Sequence, residues 1–169
     1  MTGVREYLDV TLAPPVEIGE VKVRLRAALP AAIGLHVIEE IPLKSEALAT
    51  SLFGADYTVL LDVTPDELTV DTVRARINDF WAKTEIWRER ERKGERYSYN
   101  LRPLIFELQN LGYDAAKEEH RVFLRVQQRA GATGRPDEVV AALGLDNHAR
   151  TLRRDRLYYS DRTEDAATF

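Results

Sequence analysis

Apolar and polar positions alternate along "EYLDVTL", residues 6–12. Leu8, Val10 and Leu12 share one side, and Tyr7, Asp9 and Thr11 the other, the pattern of a half-buried strand. After Pro14 and Pro15 the period changes. Ile18, Val21, Leu25, Ala28 and Leu29 recur at helical spacing, charged residues fill the opposite flank, and Pro30 stops the helix. "GLHVIEEIPL", residues 34–43, predicts a second strand broken by Pro42. Ser45 then opens a short helix through Leu52, which Gly54 closes. "DYTVLLDVT", residues 56–64, predicts the next strand. Pro65, Asp66 and Thr69 introduce a helix whose stripe is Val70, Val73, Ile77, Phe80 and Trp81, and "EIWRERER", residues 85–92, is extended again.

The order β-α-β-(short α)-β-α-β predicts an α+β fold. The two helical stripes match in spacing, and each follows a strand with Tyr in second place, Tyr7 and Tyr57. Residues 1–92 are therefore expected to form a ferredoxin-like split-βαβ unit, an antiparallel sheet with both helices on one face. Residues 93–160 are expected to add a β-rich extension with one short helix. It begins at the Lys93-Gly94 turn and continues through strands at 96–108 and 118–129. The helix opening at Pro136 comes next, its first turn holding Asp137 and Glu138, with flexible glycines at 131 and 134 before it. A basic strand at 148–160 completes it, and residues 161–169 read as a frayed tail.

Period two also sorts the charges. In residues 86–92, Arg88, Arg90 and Arg92 share a face with Ile86, while Glu89 and Glu91 share the other with Trp87. Along 118–129, Arg121, Phe123 and Arg125 lie on one face and His120, Val122, Leu124 and Val126 on the other. Arg150, Arg153, Arg154 and Arg156 crowd the last strand. Two readings stand at this point. Arginine stripes interleaved with aromatics suit phosphate contacts and base stacking on RNA. Solvated strands whose charges cancel across the sheet give the same pattern with no ligand.

Net charge changes the picture only by its distribution. The whole chain carries −4, but residues 1–84 hold 8 basic against 13 acidic residues and residues 85–169 hold 16 against 15. Of those 16 basic residues 14 are arginine, whose planar fork suits phosphate, carboxylate and aromatic faces, although a GC-rich genome produces the same bias. The absence of cysteine excludes disulfides, thiolate metal sites and a nucleophilic thiol in this chain. No apolar run approaches the ~20 residues of a membrane span, so a cytoplasmic protein with no membrane contact is expected.

No pattern names a reaction. His36, His120 and His148 lie on separate elements without metal-ligand spacing, and Glu39-Glu40 and Glu118-Glu119 are adjacent pairs pointing to opposite strand faces. Neither a nucleophile elbow, a zinc helix nor a dinucleotide fingerprint occurs. The expectation is accordingly no catalytic residue, no metal and no cofactor, in a binding module. Its candidate anion or nucleic-acid contacts are Arg88, Arg90, Arg92, Arg102, Arg121, Phe123, Arg125, Arg135, Arg153 and Arg154. The competing expectation is a small enzyme or ligand-binding protein in which Asn100, Arg102 and Arg135, each beside a turn, converge on a phosphate or carboxylate.

Several strings carry a family resemblance through their order. They are "EYLDVTL", Leu29-Pro30, "ADY" at 55–57, "NLRPLI" at 100–105, "GRPDEVVAALGL" at 134–145 and the late Tyr158-Tyr159. Together they resemble the radical-SAM-linked protein family, a bacterial domain found beside or fused to a companion radical SAM protein. The resemblance covers nearly the whole chain. It implies a companion radical SAM protein as partner, with RNA as a possible presented substrate, and it implies no catalytic residues. Family members open with an upstream Ser-His-Leu-Asp segment, and no such string occurs here. Without that segment apolar sheet surface is expected to be uncovered, and homo-oligomerisation to hide it.

Overall fold

The computed structural model describes residues 1–161 and 165, and of Arg92 only the backbone. Its centre is β2, Leu52–Asp62, where the alternation of residues 55–61 puts Ala55, Tyr57, Val59 and Leu61 on one face, all within 3% of full burial. Both edges of β2 are taken by antiparallel neighbours. On one side lies β6, Glu119–Arg129, with Val59 opposite Val122 and Tyr57 opposite Leu124. On the other lies β8, Arg150–Tyr159, with Ala55 opposite Leu157. Outside β6 comes β5, Ile105–Asp114, and outside β8 the two-residue β1, Thr2–Gly3, runs parallel to it. The strand order is thus β1-β8-β2-β6-β5, and the short β7, Ala132–Thr133, pairs with β6.

Two helices supply the rest of the core. In α3, Val70–Ala82, the Thr69 hydroxyl accepts a hydrogen bond from Thr72 N at 3.1 Å, and Val73, Ile77 and Phe80 are buried. In α4, Pro136–Ala142, Val139 and Val140 are buried, and proline occupies the first turn, where its missing N–H costs nothing. Their apolar residues join Val59, Leu61, Val122 and Leu124 in one cluster. Arg76 of α3 donates to the carbonyls of Leu143 and Gly144, satisfying the C-terminal end of α4. Gly134 is buried here rather than flexible, since a Cβ would lie 2.9 Å from the Leu104 carbonyl oxygen.

A separate ribbon stands apart from this sheet. Its strands are β3, Trp87–Arg92, and β4, Glu95–Asn100, joined by Lys93 and Gly94 at positive φ of 53° and 82°. That is the backbone a tight two-residue hairpin needs. The single strand expected over 96–108 breaks after Asn100. The Asn100 carboxamide oxygen accepts from Arg102 N, and Pro103 sits in the 3-10 turn Arg102–Leu104, which redirects the chain into β5.

The α+β class is found, but the ferredoxin-like strand order is not. The strands expected at 6–12 and 34–43 do not form, and the two edges of β2 are taken by β6 and β8 instead. Helix α1, Ile18–Ala28, and the single turn α2, Leu48–Ser51, do form, yet α1 buries no residue. The first buried residue of the chain is Ser51. Leu8, Val23, Val37 and Leu43 are 69–91% exposed. Most of the tail expected at 161–169 lies outside the described residues. Among the described residues no helix is long and apolar enough to cross a membrane.

This division predicts unequal costs of truncation. Leu124→Ala, at a fully buried site, should cost about 2–5 kcal/mol. Val23→Ala, on the exposed helix α1, should change stability by less than ~0.5 kcal/mol. Chemical denaturation with fluorescence readout measures both, and similar losses for the two would contradict the separation of segment from core.

Candidate functional site

Arg121 and Arg125 of β6 lie where period two expects them, on the face opposite the apolar cluster. Their surroundings could not be read from the strand that carries them. One row crosses four strands: Arg156 of β8 stands opposite Asp56 of β2, Asp56 opposite Arg125 of β6, and Arg125 opposite Glu107 of β5. Charges alternate along it. Arg125 donates from Nε to Asp56 Oδ1 at 2.8 Å and from a terminal nitrogen to Asp56 Oδ2 at 3.1 Å, and a second terminal nitrogen lies 3.3 Å from Glu107. The Tyr158 hydroxyl, wholly buried, donates to Asp56 Oδ2 at 2.5 Å and accepts from Arg125 at 2.9 Å. Arg156 closes the row by pairing with Asp165 at 2.8 Å.

The electrostatics reflect that geometry. The hydrogen bond to Asp56 raises the pKa of the Arg125 guanidinium further above its ordinary value, outweighing burial. Burial, and the Asp56 carboxylate next to it, push the Tyr158 phenol up to about 12.

The next rows are also matched. Arg153 donates to Asp155 Oδ1 at 2.6 Å, and Thr58 Oγ1 donates to Asp155 Oδ2 at 2.5 Å. Asp155 falls in the irregularity where the β2–β8 register shifts between Asp56 and Tyr57. That shift splits the arginine stripe expected on the last strand. Arg154 stands opposite Tyr57, on the other face, where it pairs with Glu6 at 2.5 Å. Arg121 lies 3.3 Å from Asp114. Phe123, half-buried, stands between Thr58 and Gln109, with the Arg125 guanidinium carbon 5.9 Å from its ring centroid.

On the ribbon, Arg90 donates to both Glu138 oxygens, at 2.8 and 2.6 Å, and to the Thr133 carbonyl at 2.8 Å. Its guanidinium carbon is 4.1 Å from the Tyr99 ring centroid, and the Tyr99 hydroxyl donates to the same Glu138. The hydrogen bonds from Arg90 to Glu138 raise the Arg90 pKa above its usual range. Among the described residues Arg88 pairs with no carboxylate, and the exposed Trp87 and Tyr97 flank this part of the ribbon. The side chain of Arg92 lies outside the described residues.

Asn100 is joined to Arg102 through the backbone, while the guanidinium groups of Arg102 and Arg135 engage different neighbours. Asn100 Oδ1 accepts from Ile86 N and Arg102 N, at 2.9 and 3.1 Å, which holds the base of the ribbon to the turn. The Arg102 guanidinium carbon is 4.2 Å from the Trp81 ring centroid, at the C-terminal end of α3, where a positive charge complements the helix dipole. Arg135 pairs with Asp137 at 2.9 Å. A polar depression at the other end of β2, lined by Leu60, Asp62, Lys117, Glu119 and Arg150, contains none of the three.

Arg90, Arg125, Arg153, Arg154 and Arg156 thus have partners that were not legible in the strands carrying them: Glu6, Asp56, Glu107, Glu138, Asp155, Asp165 and Tyr158. The one legible signal was Asp56, a charged residue inside the run "ADYTVLL" that otherwise suits a buried strand. His120, on a strand without metal-ligand spacing, is fully buried beside Asn110, with 2.7 Å between Nε2 and the Asn110 carboxamide oxygen and no partner at Nδ1. Burial lowers its pKa. Among the described residues no three histidine or acidic side chains are placed to hold a metal ion.

Residues 1–136 match the sequence profile of a family described as "uncharacterized protein conserved in bacteria" (DUF2344). No curated protein and no solved structure matches the chain.

Two measurements check these assignments. Asp56→Ala leaves Arg125 buried without its main counter-charge and should cost about 3–5 kcal/mol, whereas Arg135→Ala, at an exposed pair, should cost no more than ~1 kcal/mol. His120 binds its proton less readily in the folded chain than in the unfolded one. Stability should therefore be complete above the unfolded pKa and fall as pH drops below about 6.5, until the lowered folded pKa is reached. His120→Gln should flatten that slope between about pH 7.5 and 5.5, and an unchanged slope would remove His120 as its source.

Proposed function

The chain belongs to this family of bacterial proteins, and from that premise we propose that it is a non-catalytic accessory module that docks onto a companion protein through residues 4–43. By the resemblance of its motifs, the companion is a radical SAM enzyme, and the module helps present that enzyme's macromolecular substrate. The observation that carries this reading is the exposure of apolar side chains along the segment. Leu8, Val23, Val37 and Leu43 face solvent, and α1 contributes nothing to the core. A run of uncovered apolar residues beside a well-packed sheet is the mark of a surface completed by a partner.

The sheet arginines support a scaffold rather than a phosphate grip. A guanidinium already chelated by a carboxylate has little left to offer a phosphate, and displacing the carboxylate would bury an unpaired charge. RNA contact, in this reading, falls to the ribbon, where Arg88 has no carboxylate partner among the described residues and the exposed Tyr97 offers a stacking face on the same side. A small-ligand site at Asn100, Arg102 and Arg135 is not favoured, since Asn100 is occupied with two backbone amides.

Hydrogen exchange on the isolated chain and on its complex with the companion radical SAM protein tests the docking. Residues 4–43 should exchange fast alone and become protected in the complex, and unchanged exchange would sink the proposal. Binding to a short single-stranded RNA should weaken by a shallow salt slope, on the order of −0.7 per phosphate contacted, and drop further in Arg88→Ala. Absence of binding at low salt removes the RNA part.

A further inference from the structure

Strand β8 has one edge on β2 and another on the N-terminal segment. The second edge is narrow and specific. Thr2 and Gly3 stand opposite Arg153 and Arg154, and Val4 N donates to the Arg154 carbonyl at 2.9 Å. Glu6 receives two hydrogen bonds from Arg154, at 3.0 and 2.5 Å. The Tyr7 ring meets Tyr159 edge-on, with centroids 5.2 Å apart. Asp9 then accepts from Leu48 N at 3.3 Å. These contacts all fall within residues 2–9, and the groups that receive Thr2 to Tyr7 are one strand edge, one guanidinium and one ring.

Residues 10–46 are of a different kind. Their backbone hydrogen bonds are local, as at Leu29–Leu25, Ile33–Pro30 and Ser45–Pro42, and none of these residues is buried. The segment is a long connector, and the residues flanking it meet where Leu48 N reaches Asp9. The strand contacts are identical whether residues 2–9 dock on their own sheet or on that of another copy, so the connector favours the chain's own sheet only through the effective concentration it sets, and a second copy competes as protein concentration rises. Exchange has an additional gain. It lays two connectors alongside one another and offers Leu8, Val10, Val23, Val37 and Leu43 apolar surface that the single chain does not provide.

We infer that the outer edge of β8 is a strand-exchange site, at which residues 2–9 of a second copy replace the chain's own and form a domain-swapped dimer. The ion pair between Glu6 and Arg154 is its selective element, since Arg154 is half-buried and stands opposite Tyr57 on the receiving sheet. Exchange needs no companion protein. It shares residues 4–9 and the exposed apolar side chains with the proposed docking segment, but its test uses this chain alone, so the two readings can fail separately.

A charge-reversal cross tests it on the full chain. Glu6→Arg and Arg154→Glu each place like charges at the contact, within a copy and between identical copies. Mixed together, the two variants can regain opposite charges only by exchanging segments. Native mass spectrometry with one variant isotopically labelled should show a mixed dimer on the order of tenfold above either homodimer. The wild-type chain should form dimer increasingly with concentration. The variant carrying both reversals in one chain should restore wild-type behaviour, which controls for misfolding of either single variant. A mixture that stays monomeric while the double variant is folded overturns the inference, as do homodimers of both single variants at wild-type levels.

Discussion

The buried contact between Asp56 and Arg125 constrains more of this molecule than any other. A carboxylate and a guanidinium brought out of water cost several kcal/mol each, and the cost is offset only where hydrogen bonds satisfy both groups. Here they do. Asp56 accepts two bonds from Arg125 and one from Tyr158, while Arg125 reaches Glu107 with a nitrogen left over. The four residues come from β2, β6, β8 and β5. Sliding any of these strands by one position would move its charge to the apolar face and leave the others unmatched, so the network pins the register of the sheet as much as it stabilises it.

The same pairing explains why the arginines on the charged face of the sheet present little free positive charge. The acidic bias of the first half and the basic bias of the second meet across the fold, as Asp56 with Arg125 and Glu6 with Arg154. Other arginines serve the backbone instead. Arg76 holds the end of α4, and Arg102 covers the end of α3 through Trp81. Guanidinium groups are well suited to this role because their planar fork makes several bonds from one fixed position. What remains for a partner is the ribbon's exposed aromatics and the uncovered segment before Ser51.

Two regimes therefore coexist in one chain. From Ser51 onward, apolar side chains of a central strand, two flanking strands and two helices fill a common core. Before it, an amphipathic pattern is written on residues none of which is buried. Amphipathic residues fold firmly only when a second surface completes them, since most helical and strand stability comes from tertiary packing rather than propensity. That dependence is the common ground of the proposed companion docking and the proposed exchange at β8.

Local chemistry was legible from the sequence. The helix at 70–82 announced itself through Thr69 and the stripe from Val70 to Trp81, the hairpin through Lys93-Gly94, and the core strands through the run at 56–64 and the alternation at 120–126. These features depend on neighbours a few residues away, which the sequence contains in order. Strand order did not depend on such neighbours. The alternation at 6–12 states that a strand could form, but not that β6 and β8 would already occupy both edges of β2. Nor could the face of an arginine reveal its partner. Arg125 and Asp56 are 69 positions apart, and Arg154 and Glu6 are 148. The amino-acid order determined which segments are helical, which are extended and which side of each carries charge. Only the tertiary structure decided which of those charges cancel, because cancellation is a property of distance in space.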